Sequence, residues 1–134
     1  MKKILVAVDF SDASVAAVGH ALQLAQAFDA KLIVLHILHD PADRPGFYSS
    51  KKAGKKVFRN MEEAAGRMMK EFVDKHLAKA KKAEARIVPG IPGDEIVRQA
   101  DKEKVDLVVV GTRGHSGVQR LLLGSVADRV IRGC

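Results

Sequence analysis

Four short runs of branched apolar residues alternate with stretches of helical periodicity, and this alternation restricts the fold more than any other feature of the chain. The runs are Lys2 to Val8, Lys31 to Leu38, Ala85 to Val88 and Val105 to Val110. They are apolar at consecutive rather than alternate positions, as in strands covered on both faces of a parallel sheet. After the first run, Val15, Val18, Leu22, Ala25 and Phe28 recur at steps of three or four and predict a helix from Asp12 to Asp29, with Ser11 as its N-cap. His39 to Lys56 holds Pro41, Pro45, Gly46, Ser49, Ser50 and Gly54 without periodicity and reads as a long loop. Val57, Met61, Ala65, Met68, Phe72 and Leu77 predict a long helix ending near Lys82, its methionines serving as core filler. Asp94 is a candidate cap for a helix carrying Ile96, Val97 and Ala100 inward, and a last helix begins near Ser125. The expected fold is α/β: one domain with an open, parallel, twisted sheet and helices on both faces.

In such sheets ligands settle beyond the carboxyl ends of the strands, where the strand order reverses. Asp9, Phe10 and Ser11 therefore stand out after the first run, Ile37 and His39 after the second, and Gly111 onward after the fourth. Gly111 and Gly114 directly follow the fourth run, and Gly124-Ser125 opens the last helix after nine intervening residues. Glycine at a strand exit lets backbone N–H groups approach a phosphate without interference from Cβ. A helix starting at Ser125 offers free N–H groups and its positive dipole end to the same anion. Arg113, His115 and Arg120 add donors between them. Each part has an ordinary alternative: Gly111 as a tight turn, Gly124-Ser125 as a plain helix start. The G-x-x-x-x-G-K-[ST] loop is absent, and no G-x-G-x-x-G follows the first run. There the chain reads Asp9-Phe10-Ser11, and a carboxylate at that point accepts from a ribose hydroxyl or a base amine. A further cap is the other role for Asp9, the less favoured one because Ser11 already serves.

The 134 residues suffice for one domain. No apolar run approaches the ~18 to 20 residues that cross a bilayer, and the run after Met1-Lys2-Lys3 stops at Asp9, too short for a signal peptide. With a single cysteine, Cys134, the chain reads as cytoplasmic, with no membrane partner. The whole net charge of +7 falls between Lys51 and Lys82. Two readings of that segment stand: a solvated helix face, or a docking patch for a polyanion or acidic protein. Its only aromatics, Phe58 and Phe72, have core spacing, which disfavours nucleic acid.

These motifs together resemble the universal stress protein family over nearly the whole chain. Lys2 to Asp9 with Ser11 resembles the family's first strand and turn, and Leu35-His36-Ile37 its second-strand ending. Gly90-Ile91-Pro92 resembles its third-strand exit, and Asp106 to Gly114 its fourth strand. The spacing Gly111-x2-Gly114-x9-Gly124-Ser125 is similar to the family's ATP-binding signature. The resemblance implies a Rossmann-like fold of the adenine nucleotide alpha hydrolase type and a site for ATP, AMP or ADP. Carried over, it puts Asp9 and Ile37 around adenine and ribose, and Val110, Gly111, Arg113 and Gly114 along the nucleotide. Gly124, Ser125 and Val126 would meet the phosphates, with Mg²⁺ or Mn²⁺ held by the phosphates rather than by a protein cage. It implies a homodimer and an unidentified protein partner in stress response or signalling. The family's fifth strand, commonly used for dimer pairing, would start where this chain stops at Cys134. Hydrolysis would need a base and a group that orients it; Arg113 or His115 could stabilise charge, but no such pair stands out. A slow ATPase or self-phosphorylating protein, and a docking protein using residues 51–82, are the alternatives to a binding module.

Overall fold

The computed structural model describes residues 1–39, 51–111 and 125–133. Its elements run β1 (Lys3–Ala7), α1 (Asp12–Phe28), β2 (Lys31–Leu38), α2 (Lys51–His76), β3 (Ala83–Pro89), α3 (Pro92–Glu103), β4 (Leu107–Val109) and α4 (Ser125–Gly133). The four strands form one sheet in the order β3-β2-β1-β4, and every pairing is parallel. In register, Ile4 lies between Leu32 and Leu107, and Val6 between Val34 and Val109.

The period of two along each strand divides the core into two layers. Ile4, Val6, Leu32 and Val34 pack with Ala17, Val18 and Ala21 of α1 and Met69 and Phe72 of α2. Leu5, Ile33, Leu35 and Ile37 pack on the other face with Ile96 and Val97 of α3 and Val130 of α4. Ile4, Leu5, Val6 and Leu32 to Leu35 are at most 1% exposed, and each such side chain stabilises the fold by roughly 1.5–3 kcal/mol. The consecutive apolar positions thus fill both layers, as their pattern required.

Several boundaries differ from the sequence expectation, each for a local reason. The expected loop from His39 to Lys56 gives way to helix at Lys51, because Lys and Ala favour helix and the lone Gly54 does not break it; its remaining part, 40–50, lies outside the described residues. The same helix ends at His76 rather than near Lys82. Leu77 is buried in a turn just beyond it, so the apolar periodicity outruns the helix. β3 extends to Pro89, tolerable in a strand whose one pairing among the described residues is with β2. α3 starts at Pro92 with Ile91 as its N-cap and no side-chain cap bond, so Asp94 is not the cap. Proline at the first position supplies the helical φ in advance. Asp94 sits instead in the first turn and accepts from Arg129 Nε at 2.5 Å, tying α3 to α4. Strand β4 is shorter than the run that predicted it: Val105 donates back to Ala100 O at the end of α3, and Asp106 N donates to Lys3 O.

Candidate functional site

The chain winds outward from β1 through β2 to β3, and then returns to place β4 on the other side of β1. The order therefore reverses between β1 and β4, and in open α/β sheets ligands bind beyond the carboxyl ends of the strands at such a point. β1 delivers Val8, Asp9 and Phe10 there, and β4 delivers Val110 and Gly111. A Cβ built on Gly111 would lie 3.0 Å from Ala13 Cβ, so the strand exit passes tightly against the first turn of α1. Ile37, 8% exposed, and Val110, half-buried, belong to the same apolar layer on the α3–α4 side.

Asp9 is built into the start of α1. Its Oδ1 accepts from the Ser11 amide at 3.0 Å, from the Ser11 hydroxyl, and from Ser14 Oγ at 2.5 Å. The Asp9 amide in turn donates to Ser14 Oγ at 2.7 Å. Ser11 caps the helix as expected, accepting from Ser14 N at 3.3 Å. Among the described bonds Asp9 takes none of the helix's own free amides; it braces the cap residue Ser11 instead, so Ser11 remains the cap. The carboxylate sits at the positive end of the helix, where its charge is favoured, and its place is fixed by three donors.

Sequence reasoning missed two features of this turn. Ser14 is 4% exposed and joins Asp9 through both its lone pair and its proton; the spacing Asp9-x-Ser11-x-x-Ser14 was the available signal. Phe10 has φ 66°, a left-handed backbone uncommon outside glycine. Its ring lies 4.6 Å from that of His36 and 5.8 Å from that of Phe72, and Phe72 lies 4.8 Å from His76. Alternation along β2 places His36 on the α1–α2 side, opposite Ile37.

Arg113, Gly114 and Gly124 lie outside the described residues, as do His115 and Arg120. Ser125 and Val126 open α4, the helix start that the sequence predicted. Among the described residues no group of three His, Cys, Asp or Glu side chains could hold a metal ion, and no helix is long and apolar enough to cross a membrane. A cleft of about 300 Å³ lined by Leu22, Gln26, Asp29, Ala80 and Lys82 opens at the amino ends of the strands, away from Asp9. On α2, Lys55, Lys56 and Arg59 are exposed, with no acidic residue before Glu62.

The universal stress protein family model matches residues 1–134. The universal stress protein MJ0531 of Methanocaldococcus jannaschii is 35% identical, over 98% of this chain and 76% of that protein. The solved structure of universal stress protein UspA from Lactobacillus plantarum superposes with a TM-score of 0.82 at 26% identity, covering 98% of this chain and 91% of its own. A universal stress protein crystallised in complex with cAMP is 36% identical, with a TM-score of 0.68 and coverage of 98% and 90%. The fold, the turn at Asp9 and these similarities converge: the chain belongs to the universal stress protein family.

Proposed function

We propose that this protein is an adenine-nucleotide-binding module that holds ATP, or AMP or ADP, at the carboxyl ends of β1 and β4. The observation that carries this reading is the meeting of the Asp9 turn with the Gly111 exit where the strand order reverses. The residues fit the group. Ile37 and Val110 offer an apolar wall to a purine, and the Asp9 carboxylate is an acceptor for a ribose hydroxyl. Gly111, Arg113 and Gly114 would run along the nucleotide, and Gly124 with the first turn of α4 at Ser125 and Val126 would receive the phosphates. The cAMP complex of the 36% identical relative supports an adenine nucleotide as the ligand class. Mg²⁺ or Mn²⁺ would accompany the phosphates, supplying charge neutralisation. Nucleotide occupancy would alter a surface read by a protein partner in stress response. A homodimer is part of this proposal; among the described residues β4 pairs only with β1, and its other edge can receive a strand.

The chain has no Trp and one Tyr, so bound purine dominates its near-ultraviolet absorbance. Acid release followed by chromatography of the purified protein tests the proposal. Adenine nucleotide in near-stoichiometric amount, or its uptake after incubation with ATP and Mg²⁺, is the expected result. Absence of both contradicts it.

A further inference from the structure

The turn that presents Asp9 holds an unfavourable backbone, and the structure contains a specific device that keeps it there. Phe10, between Asp9 and Ser11, stands at φ 66°. A residue with a Cβ adopts this conformation only when its surroundings enforce it. The Asp9 carboxylate reaches over Phe10 to the Ser11 amide at 3.0 Å, so the conformation of Phe10 determines where that carboxylate sits.

His36 grips the turn on both sides of Asp9. Its Nδ1 lies 2.8 Å from the carbonyl oxygen of Val8. A carbonyl only accepts, so Nδ1 carries the proton and donates. This bond fixes the imidazole plane, and the plane in turn backs the Phe10 ring, with centroids 4.6 Å apart at 37°. Phe72 of α2 meets the same ring edge-on at 5.8 Å. His36 lies on the face of β2 opposite Ile37, so it supports the turn from the α1–α2 side of the sheet.

We infer that His36 is a positioning residue for Asp9, and that through the Val8 carbonyl and the Phe10 ring it sets the site's preference for nucleotides bearing ribose hydroxyls. This rests on the nucleotide reading above. Loosening the turn misplaces the acceptor for the hydroxyl, while the apolar wall and the phosphate-binding segment remain.

The test is calorimetric titration with ATP and with 2′,3′-dideoxy-ATP, both with Mg²⁺, read as the ratio of their affinities. A hydrogen bond to a carboxylate predicts that wild type prefers ATP by about tenfold or more. Asp9→Asn and His36→Leu should each bring the ratio to within about threefold of unity. His36→Asn, whose amide can donate to the Val8 carbonyl, should keep more of the preference than His36→Phe, which keeps a ring and loses the donor. That comparison decides the matter if His36→Leu fails to fold. Glycine adopts positive φ without a clasp, so in a Phe10→Gly background His36→Leu should change the ratio less than about twofold. A preference abolished by Asp9→Asn but untouched in the His36 variants overturns this inference alone. Absence of ATP binding by wild type overturns the nucleotide reading and this inference with it.

Discussion

Replacing Ser14 by alanine tests the most tightly built part of the site. The Ser14 hydroxyl, in a side chain 4% exposed, accepts from the Asp9 amide at 2.7 Å and donates to Asp9 Oδ1 at 2.5 Å. Alanine fits the space but removes both bonds where water has little access. Losing a buried acceptor of this kind costs about 1–3 kcal/mol. At about 2.1 cal/mol/K per residue, the unfolding entropy of a chain this long is roughly 0.28 kcal/mol/K, so Tm should fall by about 4–11 °C. Ser11→Ala removes a half-exposed cap that water can partly replace, and should cost about 1 kcal/mol, or about 4 °C. Circular dichroism at a helical wavelength is the suitable assay, since the chain lacks tryptophan. A Ser14→Ala variant melting within about 2 °C of wild type, or less affected than Ser11→Ala, refutes the buried double role assigned to this hydroxyl.

Two further outcomes follow from the geometry. A Cβ at Gly111 would press on Ala13 at 3.0 Å, so Gly111→Ala should cost about 1–3 kcal/mol; adding Ala13→Gly should recover part of that loss in a thermal melt, and no recovery would place the strain elsewhere. The Asp106 carboxyl is held below its ordinary value by hydrogen bonds from the Lys2 and Lys3 amides, and those of Glu95 and Glu103 by bonds from Arg98 and Arg86. Lowered folded-state values mean stability that is complete above the ordinary values of 3.8 for aspartate and 4.5 for glutamate and is lost as pH falls through the folded ones. Tm should therefore be level from neutral pH to about 5 and drop below it, with a shallower drop in Asp106→Asn; a Tm that rises on acidification would contradict the pairing.

The architecture was legible because consecutive apolar residues in β1 and β2 serve two core layers, a demand that only helices on both faces satisfy. Helix ends were less so. Leu77 continues the α2 pattern from a turn, and Pro92 starts α3 by backbone preference while Asp94 turns to Arg129, a partner 35 positions away. At the candidate site, Asp9, Val110 and Gly111 could be picked out as residues that follow strands, whereas Ile37 lies within β2, next to its last residue. The two bonds between Asp9 and Ser14 could not, because they depend on Ser14 being turned inward by α1. Nor could the His36–Phe10 contact, which joins two strands and a left-handed residue that no sequence pattern announces.

The proposed function places one adenine nucleotide where the Asp9 turn meets the Gly111 exit. Calorimetric titration of the wild-type chain with ATP and Mg²⁺, beside Gly114→Asp, tests it most directly. Saturable binding of one nucleotide per chain, abolished by a carboxylate placed in the expected phosphate path, is the predicted result. No heat of binding up to millimolar ATP, or equal binding by the variant, would contradict it.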